Sequence, residues 1–115
     1  MLKRAIWGLL VAGLVIQPAS AEYINGNRLY EMCRDDGAAS RGFLYGYLAS
    51  LIDTSAFVAD VISRQHPLCV PEGVELNQLA DVVCRYLQDN PEKRQSAGSG
   101  LAFVAVGHSF KCKKL

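Results

Sequence analysis

Apolar residues recur at helical spacing in several stretches of the chain, and no stretch of useful length alternates with the period of a strand. The clearest pattern follows a Pro-Glu-Gly turn at residues 71–73. It continues to Asn90-Pro91, where the proline stops the helix. One side of this predicted helix is apolar and the other is polar. The apolar side comprises Leu76, Leu79, Ala80, Val83, Tyr86 and Leu87.

The longest apolar pattern starts near Ser40, which we expect to cap a second helix, and runs to about Ile62. Because apolar residues surround most of this helix, we expect it to be the central, buried one. Asp53 and Asp60 interrupt the run, so a transmembrane segment is not expected. Its principal apolar positions are Phe43, Leu44, Tyr47, Leu48, Leu51, Val58 and Ile62.

Small residues lie four apart on this long helix, at Gly42, Gly46 and Ser50. Their spacing places them on one side, where another helix can approach closely. Two interpretations remain open, namely close packing within the monomer and a dimer face.

Two shorter helices complete the pattern. The first follows Asn27 as its predicted cap and includes Cys33. The last spans Leu101 to His108, after a glycine-containing stretch at 96–100 where we expect a kink or a close contact. The sequence therefore predicts an all-α fold, a small four-helix bundle of orthogonal or antiparallel neighbours, in a single domain over residues 22–115.

The first 21 residues have the pattern of a cleaved signal peptide. Lys3 and Arg4 precede an apolar run of about a dozen residues, and small residues at 19–21 suit a signal peptidase. The run is too short to span a bilayer as a helix. We expect export to the periplasm and a mature chain that starts at Glu22, which leaves 94 of the 115 residues.

The net charge and the cysteines indicate which partners and cofactors can be expected. Without Lys3 and Arg4, ten basic residues remain against eleven acidic ones, a net charge of −1, so no nucleic-acid or membrane partner is expected. Four cysteines in a small exported chain indicate two disulfides, and four cysteines allow three pairings. The chain has no CxxC pair and only two histidines, so neither a metal nor another cofactor is expected.

No catalytic motif is present. A nucleophile elbow, a phosphate-binding loop or a metal-binding helix pair would each leave a recognisable spacing, and none occurs. We therefore expect no catalytic residue and no enzyme activity.

An ordered set of short motifs resembles the periplasmic immunity proteins that neutralise the amidase effectors of type VI secretion. The resemblance covers almost all of the mature chain, although no single motif is specific. It implies a small all-helical protein, often a homodimer, that binds a peptidoglycan-cleaving amidase and blocks its active-site cleft. The motifs are Leu29–Cys33, Gly46-Tyr47, Leu68–Val74, Gln78-Leu79, Val82-Val83, Tyr86-Leu87, Asn90–Glu92, Ala97 and Phe110-x-Cys112.

The chain departs from this family at its cysteines. Leu44 stands where the family often has a cysteine, and Cys84 stands where it usually has an apolar residue. The bridges of the family therefore cannot be copied directly. Of the three pairings we predict Cys69–Cys112, which joins loop and tail positions, together with a bond between the two helical cysteines, Cys33–Cys84.

The predicted partner-binding site is the polar, turn-rich loop from Arg64 to Glu72, which Cys69 fixes. An ordinary connection is the alternative interpretation of this loop. The candidate contact residues are Arg64, Gln65, His66, Glu72 and Tyr45. Two other functions remain open: a small periplasmic acid-stress chaperone, which needs a dimer that dissociates near pH 3, and a hydrolase that depends on one of the two histidines.

Overall fold

The computed structural model describes residues 22–63 and 68–113. The predicted signal peptide lies outside these residues. Within them the fold is all-α, as predicted, and the only β-type pairing is an isolated bridge between Asn25 and Ala97. A π-helical turn continues the second helix, and a 3-10 turn precedes the fourth. The elements are α1 Gly26–Arg34, α2 Ala38–Val58, the π turn Ala59–Ser63, α3 Leu76–Asp89, the 3-10 turn Pro91–Lys93 and α4 Gly98–Ser109.

Polar side chains define the starts of α1 and α2, although not the ones expected. The side chain of Asn25, not Asn27, accepts the backbone N–H of Arg28 at 2.9 Å and caps α1. Before α2, the Asp35 carboxylate accepts the N–H of Gly37 at 2.8 Å and the hydroxyl of Ser40 at 2.7 Å. These bonds favour the ionised carboxylate, so they lower the pKa of Asp35. Ser40 thus lies inside the helix that it was predicted to cap.

The start and end of α3 are also fixed by hydrogen bonds. Glu75 and Gln78 form a reciprocal capping box, in which the Glu75 N–H donates to the Gln78 side chain at 2.8 Å. At the other end, Arg94 donates from Nε to the carbonyl of Leu87 at 2.6 Å. The Arg94 guanidinium also lies 3.6 Å from the centre of the Tyr30 ring, which ties this end of α3 to α1.

The core is one apolar cluster to which all four helices contribute. α3 and α4 supply most of it, and α1 covers both of them. Leu76 remains 38% exposed and Tyr86 is half-buried, so the buried side of α3 is narrower than predicted. The buried members are Leu29, Met32, Leu44, Leu48, Leu79, Ala80, Val83, Leu87, Leu101, Ala102, Ala105 and Val106.

The expectation that α2 is the central buried helix is wrong. Only Leu44 and Leu48 of α2 are buried, together with Ala59 in the π turn. Three other helices, none longer than 14 residues, cannot surround a 21-residue helix on all sides. One side of α2 packs on the core and the other is exposed.

Two glycines allow the N-terminal end of α1 to approach the segment before α4. A Cβ on Gly26 would lie 2.6 Å from the carbonyl oxygen of Arg94, and one on Gly98 would lie 2.8 Å from that of Ile24. The Gly26 N–H donates to Ser96 at 2.9 Å, and the Gly98 N–H donates to Ile24 at 2.9 Å. The close contact expected in the 96–100 stretch is therefore present at Gly98.

Both predicted disulfides are confirmed. Cys33–Cys84 joins α1 to α3, and both of its half-buried cysteines pack against the core. Cys69–Cys112 joins the segment before α3 to the tail after α4, and Cys112 is exposed. The first bond is part of the helical body, whereas the second connects two non-helical segments at its surface.

Candidate functional site

Of the five predicted contact residues, the structure describes Glu72 and Tyr45, and Arg64, Gln65 and His66 lie outside the described residues. Glu72 is exposed, in a turn. Tyr45 is half-buried and packs against the core, so less of its ring is accessible than expected.

Residues 68–75, here called the anchored loop, are held in place at several points. Leu68, Val70 and Val74 pack against the core, and a Leu68 methyl group lies over Gly107 of α4. The turn that exposes Glu72 is closed by the Val74 N–H, which donates to the Pro71 carbonyl at 3.4 Å. Gly73 has a φ of +85°, which favours glycine. The loop therefore presents a fixed, polar tip.

The Cys69–Cys112 disulfide brings the C-terminal tail beside this loop. The two Cα atoms are 5.1 Å apart, although 43 positions separate the cysteines in sequence. Lys111 and Lys113 flank Cys112 and are exposed. The surface near the anchored loop therefore presents charges of both signs, namely the Glu72 carboxylate and the two lysines.

A second surface, which the sequence analysis missed, runs along the outer side of α2. Its members from Ala39 to Phe57 lie three or four positions apart, so they share one side of α2, and Val61 follows in the π turn. All of them are exposed. The signal in the sequence was the apolar pattern over most of α2, which we interpreted as burial. We call this surface the α2 outer face: Ala39, Phe43, Gly46, Ser50, Thr54, Phe57 and Val61.

The small residues of α2 lie in this exposed region and not in a packed contact. Among the described residues, a Cβ built on Gly42 or Gly46 meets no atom within 4 Å, and Ser50 is exposed. Residues 22–63 and 68–113 therefore contribute no close packing against these small residues, which was one of the two interpretations left open. The helical stretch Ala38–Ile62 is also long and apolar enough to cross a membrane, judged on length and composition alone, and 17% of that window is buried.

Two shallow depressions border the α2 outer face. One of about 230 Å³ is lined by Tyr47, Ser50, Leu51, Thr54 and Ser99. Burial raises the pKa of the Tyr47 hydroxyl, and a hydrogen bond with Ser99 acts in the opposite direction. The other depression, of about 280 Å³, is lined by Ile24, Arg28, Met32, Ala39, Ser40 and Phe43.

Reactive groups are sparse in the described part of the chain. All four cysteines are in disulfides, and no group of three His, Cys, Asp or Glu residues is arranged to hold a metal ion there. His108 is exposed and meets the Tyr86 ring edge-on, with 6.5 Å between ring centres.

Comparison with known proteins identifies the family. The family model of Rap1a immunity proteins matches residues 25–112, which include all four helices and both disulfides. No curated protein and no solved structure matches the chain. Because the match covers most of the chain, from the cap of α1 to the last cysteine, the chain belongs to the Rap1a family of immunity proteins, a family of type VI secretion.

Proposed function

We propose that this protein binds a type VI effector that cleaves peptidoglycan as an amidase, and that it blocks the active-site cleft of that effector. The observation that carries the proposal is the family match over residues 25–112, since an immunity protein acts by binding a cognate effector. The resemblance of its short motifs to amidase immunity proteins supports the amidase as the effector class.

The anchored loop is the proposed inhibitory element, together with residues 64–67 before it. The anchored loop itself, residues 68–75, is held by a disulfide and three apolar side chains. A segment held in this way loses little conformational entropy on binding, so more of the contact energy contributes to affinity. Glu72 is the proposed central contact. Lys111 and Lys113 lie at the rim, where charge affects association rate more than affinity.

The proposed site of action is the periplasm. Two disulfides in a small domain suit an oxidising compartment. We propose that residues 1–21 are removed on export, and intact-mass measurement of the protein from periplasmic extracts should give a chain that starts at Glu22. We also propose that the working form is a homodimer.

The test is rescue from lysis. Candidate amidase effectors from the same genome are expressed in the periplasm with and without this protein, and cell density and purified-pair binding are measured. We expect one amidase to lyse cells unless this protein is present. A Glu72→Lys variant should lose rescue, whereas Glu92→Lys, an exposed glutamate beyond the far end of α3, should retain it.

Two results would contradict the proposal. One is that no amidase is bound or neutralised, while an effector of another chemistry is. The other is that the purified protein itself degrades peptidoglycan and that replacing His108 abolishes this activity.

A further inference from the structure

The two disulfides differ in what they connect and in how far a thiol can reach them. The inner bond, Cys33–Cys84, joins α1 to α3, and both of its cysteines are half-buried against the core. The outer bond, Cys69–Cys112, joins the anchored loop to the tail after α4, and Cys112 is exposed. A disulfide opens when a thiolate attacks one of its sulfurs, so access to a sulfur helps to decide which bond reacts. The outer bond is therefore the one that an external thiol can reach on the folded protein.

Opening the outer bond separates two segments without breaking a helix. α4 ends at Ser109, and Phe110 then packs against the core while its N–H donates to the Val106 carbonyl at 2.9 Å. Residues 111–113 beyond it are exposed, and the bond at Cys112 connects them to the loop. The inner bond and the core are separate from this connection and hold α1 and α3 together. The open form therefore keeps the helical body and loses the link between the tail and the loop.

The same link constrains the anchored loop. The other contacts described for the loop are three half-buried side chains on the core and one turn, which the Val74 N–H closes on the Pro71 carbonyl at 3.4 Å. That distance is beyond the usual range for a backbone hydrogen bond, so the turn alone is a weak restraint. The disulfide connects the loop to a point 43 positions away, and such a cross-link removes conformations that the segment would otherwise visit. Opening the bond therefore increases the mobility of the loop.

The charges next to Cys112 favour reduction of the outer bond. Lys111 and Lys113 flank this cysteine in sequence, and both are exposed. Ammonium groups beside a cysteine stabilise its thiolate, and they attract an incoming thiolate as well. A stabilised thiolate leaves faster in thiol–disulfide exchange and makes the reduced form more favourable. The tail thus carries the features of a reactive disulfide.

We propose that the outer bond is a redox latch, which a dithiol reductant opens on the folded protein. One thiolate of the reductant attacks the Cys112 sulfur, forms a mixed disulfide and releases Cys69 as a thiolate. The second thiolate of the reductant attacks the reductant sulfur of the mixed disulfide and releases Cys112. Two electrons pass to this protein, the reductant becomes a disulfide, and its two thiol protons end on Cys69 and Cys112. The chemical class of the partner is a two-cysteine thiol–disulfide oxidoreductase.

The closed latch is the form that inhibits the effector. This step rests on the proposed role of the anchored loop in binding the amidase. A loop that is already ordered binds more tightly than a mobile one, because less conformational entropy is lost on binding. Inhibition is then complete only in a compartment where the outer bond forms.

The first experiment opens the latch in the mature protein and observes the loop directly. Brief treatment with dithiothreitol, then iodoacetamide, gives a protein with two added groups, which peptide mass mapping should place on Cys69 and Cys112. Hydrogen–deuterium exchange is then compared between the oxidised and open forms. We expect exchange in residues 68–75 to rise at least ~10-fold, while α1 and α3 exchange as before.

A charge-reversal pair tests the part played by the tail lysines. Lys111→Glu should slow reduction of the outer bond by dithiothreitol at least ~3-fold, because the attacking and leaving groups are both thiolates. Arg28→Glu is the matched control, since it makes the same charge change on an exposed residue of α1. The start of α1 contacts the segment before α4, at the opposite end of that helix from Cys112. This control should leave the rate unchanged.

Binding of the amidase found by the rescue screen completes the test. The dissociation constant should rise at least ~10-fold for the open form. The double variant Cys69→Ser/Cys112→Ser should show the same rise, which separates loss of the bond from any effect of the added groups. Far-UV circular dichroism of each protein checks that the helices are retained.

The results that contradict the latch differ from those that contradict the proposed function. Simultaneous opening of the two bonds, or equal exchange of residues 68–75 in the oxidised and open forms, overturns the latch whatever the protein binds. An open form that binds the amidase as tightly as the oxidised form overturns the redox control of inhibition and leaves the proposed function intact. An oxidised protein that binds no amidase contradicts the proposed function and the inhibitory step that rests on it.

Discussion

Two glycine-to-alanine substitutions should change stability in opposite directions. At Gly26 the added methyl group would lie 2.5 Å from Leu101 Cδ1, 2.6 Å from the carbonyl oxygen of Arg94 and 2.8 Å from the Arg94 Cα. Two of these three atoms are backbone, so α1 itself must move. Overpacking of this kind costs about 1–3 kcal/mol or more, and Gly26 is the first residue of α1, where alanine gains little in return.

At Gly42 the added methyl group meets no atom of residues 22–63 or 68–113 within 4 Å. Gly42 lies inside α2, where alanine is favoured over glycine by about 0.5–1 kcal/mol. We therefore expect Gly26→Ala to lower the free energy of unfolding and Gly42→Ala to raise it. For a domain of this size, each kcal/mol corresponds to roughly 4–8 °C in Tm.

The assay is urea unfolding of the oxidised protein, followed by circular dichroism at the helical band. Both variants are compared with the wild type at one protein concentration, so that any self-association affects them equally. If Gly26→Ala leaves the midpoint unchanged or raises it, the close approach of α1 to the segment before α4 is refuted. If Gly42→Ala lowers the midpoint, the open surroundings of Gly42 are refuted instead.

The remaining predictions concern the disulfides and Asp35. Dithiothreitol should reduce Cys69–Cys112 before Cys33–Cys84, because Cys112 is exposed whereas Cys33 and Cys84 pack on the core. Alkylation and peptide mass mapping identify the cysteines that are freed first, and simultaneous reduction of the two bonds contradicts this prediction. The hydrogen bonds to Asp35 lower its pKa below the ordinary value of 3.8, so its stabilising contribution is present above that pH and is lost as pH falls through the folded-state pKa. Asp35→Asn should therefore lower Tm at neutral pH, and the difference from wild type should disappear in strong acid; a difference that persists there contradicts the assignment.

The amphipathic pattern and the cysteine count were sufficient to predict the main features of the fold. α3 lies where the spacing of Leu79, Val83 and Leu87 placed it, because a single apolar side determines which side packs on a core. The disulfide pairing was also predicted, since it joined helical cysteines to each other and non-helical ones to each other.

The position of α2 could not be predicted in the same way. A helix that is apolar over most of its surface is compatible with two environments, the core of one chain and a contact with another molecule. The sequence pattern is the same in both cases. The structure shows that α2 is not buried on all sides among the described residues, because α1, α3 and α4 cover only the side that carries Leu44 and Leu48.

The candidate contact residues show a similar limit. Residue type predicted an exposed Glu72 correctly, because a charged residue in a Pro-Glu-Gly turn has few ways to be buried. It failed to predict the burial of Tyr45, because tyrosine suits both a core edge and a surface, and only packing decides between them. The place of Lys111 beside the loop follows from the Cys69–Cys112 bond. That bond was predicted, but the neighbouring lysines were not considered as contact residues.

The central claim is that this protein acts by occupying another protein's cleft. The most direct measurement is the release of peptide from purified peptidoglycan by the cognate amidase, while this protein is added in increasing amounts. We expect the amidase activity to fall in proportion to the protein added and to be abolished at equal numbers of binding sites. The Glu72→Lys variant, added in the same amounts, should leave the amidase active. Undiminished amidase activity in the presence of excess bound protein would contradict the account.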